Sequence, residues 1–235
     1  MKEFKIRASA SGNIKVSSLT DNQLNSIITL EGKNKVTERQ QITLDELRVK
    51  RDNPVLTEGS KTFIQTWLKE QIYERSKNIE NKYMSKGLEM EDQAIQFISS
   101  NLYGGNMMFK NEELYSNNFF TGTPDVIYSD TVIDVKCSWD AFTFPLYETE
   151  IDAGYYAQLQ VYMDLLGLEK ADLVYCLMDT PKDLIYNDTL EYHTYGSVDP
   201  KYRIKRYSFE KDEKFIQELK NAVIKSREYI NTLTK

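Results

Sequence analysis

Residues 119–137 read Phe119-Phe120-Thr121-Gly122-Thr123-Pro124-Asp125-Val126-Ile127-Tyr128-Ser129-Asp130-Thr131-Val132-Ile133-Asp134-Val135-Lys136-Cys137. β-Branched and aromatic residues dominate and turn residues interrupt them, which is the pattern of a hairpin. With Ser129-Asp130 as a two-residue turn, Ile127 falls opposite Val132 and Asp125 opposite Asp134. Opposed residues of an antiparallel pair have Cβ atoms roughly 4.5–5.5 Å apart. Two carboxylates at that distance repel unless one is protonated or a cation sits between them. A hard divalent metal bound by oxygens resolves the repulsion. Lys136, two residues beyond Asp134, emerges on the same face, while Ile133 and Val135 point into a core. Two carboxylates and an ammonium around one point suit hydrolysis of a phosphodiester, with a metal-activated water and a lysine that positions it or stabilises the transition state. The competing reading is an ordinary hairpin with a polar face and a Lys–Asp pair.

Outward from this stretch the chain alternates helices and strands. Thr20-Asp21-Asn22-Gln23 has the capping-box pattern before Leu24, Ile27 and Ile28, which predicts a short helix. Residues 32–42 are polar and read as a loop. Residues 58–80 carry Phe63, Ile64, Trp67, Leu68, Ile72 and Tyr73 at helical spacing, and residues 86–100 continue in that style. Glu91 falls on a helix opened by Lys86-Gly87 and is a possible third carboxylate. Residues 153–167 read as a helix stopped by Gly167, with Gln158 and Tyr162 four apart on one face. Ala171–Met178 and Tyr202–Phe209 read as strands, and 211–233 as a closing amphipathic helix. Residues 1–16 suggest a strand or extended arm. The expected architecture is α/β (α+β), a single domain spanning 1–235 with a central mixed β-sheet flanked by helices: a helical or arm region over 1–80 and a core over 81–235.

Composition removes whole classes of chemistry. The 235 residues include one His and two Cys, too few ligands for a zinc finger or a cysteine-held iron–sulfur cluster. His193 stands in a polar stretch and reads as a surface residue. No Walker loop is present, so ATP-driven unwinding is not expected. Two unrelated cysteines point to a reducing, cytoplasmic setting, and no apolar run is long enough to span a membrane. The net charge of −6 suits nucleic acid only if a local basic surface exists; Arg48, Lys50, Arg51, Lys82 and Lys86 are the candidates for one.

Taken in order, Gly87-x-x-x-Glu91, Pro124-Asp125, Asp134-Val135-Lys136 and Gln158-x-x-x-Tyr162 resemble the PD-(D/E)XK nuclease superfamily, with its restriction-endonuclease-like core. Their spacing is similar to the phage lambda-type exonucleases, the YqaJ-like viral recombinase group, and the Gln-x-x-x-Tyr element is shared with RecB-type nucleases. Tyr155-Tyr156-Ala157-Gln158-Leu159-Gln160 and Glu210-Lys211-Asp212-Glu213-Lys214 extend the likeness, which runs from about Lys82 to Leu233; over residues 1–80 only Arg7-Ala8-Ser9 resembles the family. The resemblance implies that Asp125, Asp134 and the Val135 carbonyl ligate Mg²⁺ or Mn²⁺, with Glu91 helping to hold the metals, two ions in all. It implies that Lys136 acts on the nucleophilic water, that Gln158 orients Lys136 or the scissile phosphate, and that Tyr162 supports that face. Thr123, Ser9 and Arg7 would lie at a pocket for the 5′ phosphate. Asp134 stands where many relatives have Glu. The activity implied is 5′→3′ exonuclease action on duplex DNA ends, in a phage or prophage setting. A single-strand annealing protein and a trimeric ring are the implied partners. A RecB-like single-strand or flap nuclease and a non-catalytic DNA-end-binding module are the alternatives.

Overall fold

A computed structural model describes residues 2–17, 19–76 and 81–234. The chain packs as two compact units, one formed by residues 1–4, 13–75 and 218–235 and the other by 5–12 and 76–217.

The first unit is helical: α1 (Asp21–Glu31), α2 (Glu38–Asp52), α3 (Glu58–Tyr73) and the C-terminal part of α6 (Glu213–Leu233). The capping box at Thr20 and Gln23 forms as expected. A second one, Thr37 with Gln40, opens α2 inside the stretch expected to be loop. That box carries the same Thr-x-x-Gln signal, and it was obscured by the polar composition of the turns around it. Ile27, Leu44 and Leu47 form a small core between α1 and α2. Phe4 packs edge-on against Trp67 at 4.9 Å, and its carbonyl accepts from Arg227 Nε at 2.9 Å. The expected helix over 58–80 ends at Tyr73, with Glu74 in the left-handed region at φ 53°; residues 77–80 lie outside the described residues.

The second unit holds two sheets. One is β4 (Val126–Tyr128), β5 (Thr131–Cys137), β6 (Lys170–Cys176) and β7 (Ile204–Glu210), in that order; β5 and β6 run parallel and the other pairs antiparallel. The other places β3 (Phe120–Gly122) between β1 (Ile6–Arg7) and β2 (Tyr115–Ser116). Stretch 119–137 is therefore more than a hairpin. Pro124, which has no N–H to give a ladder, separates β3 from the true hairpin β4–β5, and β3 leaves for the smaller sheet. The hairpin register is the expected one, with Ile127 opposite Val132 and Val126 opposite Ile133. Ser129 takes a left-handed φ of 55° at the turn.

Two helices sandwich the larger sheet. α4 (Lys82–Leu102) presents Met90, Ala94, Ile95 and Ile98 to Val126, Ile133, Val135, Val174 and Cys176. It begins at Lys82, where the Asn81 side chain accepts from the N–H groups of Tyr83 and Met84, so Gly87 lies inside the helix rather than opening it. α5 (Ala153–Leu166) covers the opposite face and stops at Gly167 in the left-handed conformation. A parallel β5–β6 pair requires a long crossover, and α5 supplies it. This is the mixed α/β architecture the sequence predicts.

Two expectations about side chains fail here. Lys86 is fully buried. Its ammonium donates to the carbonyls of Trp139 at 2.9 Å and Met178 at 2.7 Å, so it is a structural tie and contributes nothing to a basic surface. Burial pulls its pKa down to about 8, with Cys137 and Asp140 opposing the fall. His193 is likewise fully buried. Its ring nitrogens meet Thr180 Oγ1 at 3.2 Å and Asp188 Oδ2 at 3.0 Å, and its edge meets Trp139. The polar neighbours in sequence face out while the imidazole is satisfied inside.

Candidate active site

The hairpin and α5 build the site. Asp125 directly precedes β4, and its Oδ2 accepts from the N–H of Val135 at 2.7 Å. That bond ties the start of one strand to the middle of its partner, beside Asp134. Asp134 lies on the α5 face of β5 and is 1% exposed. Its Oδ1 accepts from Gln158 Nε2 at 2.9 Å. Gln158 Nε2 also reaches Tyr162 Oη at 3.0 Å, and that hydroxyl donates to the carbonyl of Thr123 at 3.0 Å. One turn of α5 therefore links the carboxylate on β5 to the segment between β3 and β4. The approach is close at Gly122: a Cβ there would stand 2.8 Å from Tyr162 and 2.9 Å from Ala8. Glycine is what lets β3 and the Arg7-Ala8-Ser9 segment sit against Tyr162.

Lys136 Nζ lies 2.6 Å from Asp134 Oδ2 and 5.1 Å from the centroid of Tyr155. Burial works against the ammonium, but Asp134 and Asp125 outweigh it and raise its pKa, so Lys136 stays charged at neutral pH. Asp125 goes the other way. Burial, then the charge of Asp134, push its carboxyl up to about 7, with Lys136 and the Val135 N–H opposing. One acid is thus held close to its proton while its neighbour is clamped by an amide and an ammonium.

The other expected residues fall in several places. Thr123 is exposed, with its carbonyl engaged by Tyr162. Arg7 and Ser9 are exposed, and Arg7 pairs in register with Thr121 on β3. Glu91 lies on α4, where its Oε2 accepts from Lys110 at 2.8 Å; its charge reaches Asp125, but its carboxylate is directed to Lys110. Among the basic candidates, Arg48 pairs with Glu31 and Asp45, Arg51 with Asp52, and Lys50 bonds Gln23. Lys82 sits over the Trp139 ring at 4.5 Å. Two neighbours of the site have no role assigned by the sequence. Tyr155 is three residues before Gln158, so helical spacing alone puts it on the same face. Lys110 belongs to an irregular segment that carries no such signal.

Among the described residues no three Asp, Glu, His or Cys side chains are grouped closely enough to hold a metal by themselves. The donors present nonetheless fit a hard divalent cation. Asp134 Oδ2 is buried and, beyond its 2.6 Å ion pair with Lys136, takes no hydrogen bond, which leaves lone pairs unclaimed. Mg²⁺ is commonly held by one or two carboxylates plus waters, which matches a two-aspartate pair.

The raised Asp125 acid has a measurable consequence. A carboxyl whose folded pKa exceeds its unfolded value of roughly 3.9 binds its proton more tightly in the folded state. Stability is then present at low pH and lost as pH rises. For Asp125 the window runs from about 4 to about 7. In EDTA, the Tm should fall across that window, and Asp125→Asn should flatten the decline. An unchanged slope in the variant would refute the assignment.

No protein-family model matches the sequence, and a search of curated proteins finds no match. Solved structures do match. The chain is 25% identical to a phage-related exonuclease from Haemophilus somnus 129PT, over 99% of this chain and 96% of that one, with a TM-score of 0.75. The chain has the phage exonuclease fold. An alkaline exonuclease from Laribacter hongkongensis, LHK-Exo, matches with a TM-score of 0.58 at 14% identity over 97% of this chain and 92% of that one. Its complex with dAMP gives 0.55 at 15%, over 97% and 87%. Within this exonuclease fold the Asp125–Asp134–Lys136 cluster lies where the middle of β5, the segment leading into β4 and the first turns of α5 converge.

Proposed function

We propose that the chain is a metal-dependent DNA exonuclease that hydrolyses phosphodiesters at duplex ends in the 5′→3′ direction, serving phage-type recombination in a bacterial cytoplasm. The observation that carries this reading is Asp125 bonded to the Val135 N–H beside Asp134, with Lys136 at 2.6 Å from Asp134. The likeness to a phage-related exonuclease over nearly the whole chain supports nuclease activity.

Asp125 and Asp134 would hold Mg²⁺ or Mn²⁺, with the Val135 carbonyl as a further oxygen and Glu91 serving a second ion after release from Lys110. Such an ion, when bound, acidifies a water and neutralises charge developing on the phosphate. The chain's own groups do the rest. Gln158 holds Asp134 by Oδ1 and so keeps Oδ2 turned toward Lys136. Tyr162 fixes Gln158 from behind and anchors Thr123. Lys136, kept protonated by the two aspartates, orients the attacking water or meets the charge on a non-bridging phosphate oxygen. Thr123, Arg7 and Ser9 would receive the 5′ phosphate. A trimeric ring and an annealing partner follow from the same reading. Among the described residues no helix is long and apolar enough to cross a membrane.

The test uses linear duplex DNA labelled at the 5′ or the 3′ end, a closed circle, and Mg²⁺ or EDTA. Linear DNA should be degraded in Mg²⁺ only, with mononucleotides released first from the 5′ label and the circle spared. Cutting of the circle would make the protein an endonuclease. DNA-end binding with no cleavage in Mg²⁺ or Mn²⁺ would overturn the catalytic reading.

A further inference from the structure

The face that carries Asp134 and Lys136 does not end at β5. The register sets Lys136 beside Tyr175 on β6, and Tyr175 beside Lys205 on β7. Residues paired side by side in a sheet project from the same face. The neighbouring row reads Asp134, Leu173 and Tyr207. Strands lie about 4.8 Å apart, so Lys136 and Lys205 start roughly 10 Å from each other across the sheet. Aromatic rings fill the interval. Tyr155 meets Tyr175 at 6.3 Å between centroids, and Tyr175 meets Tyr207 at 6.2 Å, both edge to face. Lys205 Nζ sits 5.3 Å from the Tyr207 centroid, as Lys136 sits against Tyr155.

The two lysines differ in their electrostatic partners. Lys136 has Asp134. Lys205 is half-buried, and among the described residues its ammonium makes no ion pair; its hydrogen bond is a long one, 3.4 Å to the carbonyl of Leu146. Lys61, Lys110, Lys170, Lys211 and Lys225 each find a carboxylate, and Lys5, Lys50 and Lys86, which make no such pair, are met by oxygens at 3.1 Å or less. A partly buried lysine without a counter-charge is a cost to the fold unless an anion arrives to meet it. Glu148, on the segment that follows the Leu146 carbonyl, bonds the N–H of Tyr147 through its carboxylate and offers its carbonyl to Tyr207 Oη. Between the lysines stands Tyr175, half-buried and within the fields of Tyr155, Lys136 and Asp134.

We propose that Lys205, backed by Tyr175 and Tyr207, is a second phosphate subsite that grips the same DNA strand close to the phosphate under attack. The proposal rests on the nuclease reading above. A stacked strand rises about 3.4 Å per nucleotide, so the phosphate engaged lies within about three nucleotides of the scissile one. Such a subsite makes an oligonucleotide a better substrate than a lone phosphodiester, and it explains a row of cations and rings that continues the catalytic face.

The test separates this from a simple tether of the 146–148 segment. A labelled duplex with a single-strand overhang is titrated by fluorescence anisotropy in EDTA, from 50 to 200 mM KCl, against the wild type, Lys205→Gln, Lys205→Arg and Tyr207→Phe. Loss of one phosphate contact reduces the slope of log affinity on log salt by roughly 0.7–0.9. Lys205→Gln should show that reduction and bind about tenfold more weakly at 50 mM KCl. Lys205→Arg should keep the wild-type slope. Tyr207→Phe removes the bond to Glu148 but no charge, so its slope should also be unchanged. In Mg²⁺, Lys205→Gln should raise KM for the oligonucleotide with kcat within about threefold, and should cleave a thymidine p-nitrophenyl phosphodiester, which has a single phosphate, at the wild-type rate. A wild-type slope in Lys205→Gln, or an equal loss on the single-phosphate ester, overturns the subsite. The binding arm needs no cleavage, so an inactive wild type would sink the nuclease reading and leave the salt slope to decide the subsite.

Discussion

Asp134→Asn is expected to reduce DNA hydrolysis by about 10³-fold or more while the protein stays folded. The substitution is nearly isosteric at a position that is 1% exposed. An asparagine carbonyl can still accept the 2.9 Å bond from Gln158. What disappears is the charged oxygen that faces Lys136 and takes no other hydrogen bond. An amide there is a poor ligand for a hard cation and no longer balances the ammonium. Two stability effects oppose each other: Lys136 loses its nearest partner, and Asp125 loses the like charge that raises its pKa. The Tm should therefore move by only a few degrees, as roughly 1 kcal/mol shifts a chain of this length by 2–4 °C. Circular dichroism melts and rates of nucleotide release on the same preparations give both numbers. More than a tenth of wild-type activity in the variant would remove Asp134 from the catalytic set.

Lys86→Ala is expected to be the most destabilising single change, by about 3–5 kcal/mol, or a drop in Tm of roughly 6–20 °C. The side chain is fully buried and holds two carbonyls, on the segments that follow β5 and β6. Alanine leaves a cavity and strands the Met178 carbonyl in apolar surroundings; the Trp139 carbonyl keeps Thr180 Oγ1 at 3.1 Å. Lys86→Met retains most of the volume and removes the buried charge, so its cost should be smaller, about 1–3 kcal/mol. If methionine costs as much as alanine, the hydrogen bonds carry the effect and the packing does not. If both are silent, the tie is not structural.

Much of this site is local, and local features are what a sequence displays. The register that sets Val126 opposite Ile133, and so brings Asp125 up to β5 beside Asp134, follows from a two-residue turn and a period of two. The Gln158–Tyr162 pair follows from helical spacing, and the stop at Gly167 from its tolerance of a left-handed backbone. What did not read out depends on the third dimension. Lys86 looks like any helix-surface lysine until Trp139 and Met178 are brought over it. His193 sits in a polar string yet turns inward to Thr180 and Asp188. Glu91 turns to Lys110, which belongs to a segment with no periodicity. The start of α2 is a different kind of miss. Its Thr37–Gln40 box was visible, but the surrounding polar residues outweighed it.

The two-residue turn at Ser129-Asp130 also bears on how the protein acquires its activity. Loop closure costs more entropy as the loop lengthens, and contacts between distant residues slow folding. The aspartates meet across one of the shortest loops a chain can form, whereas Gln158 reaches Asp134 only after the crossover through α5 has delivered it. Carboxylate pairing can thus precede the burial that restrains it. A nascent chain that has released residue 137 from the ribosome already holds both acids and the lysine, and must wait for α5 before Asp134 is held in place.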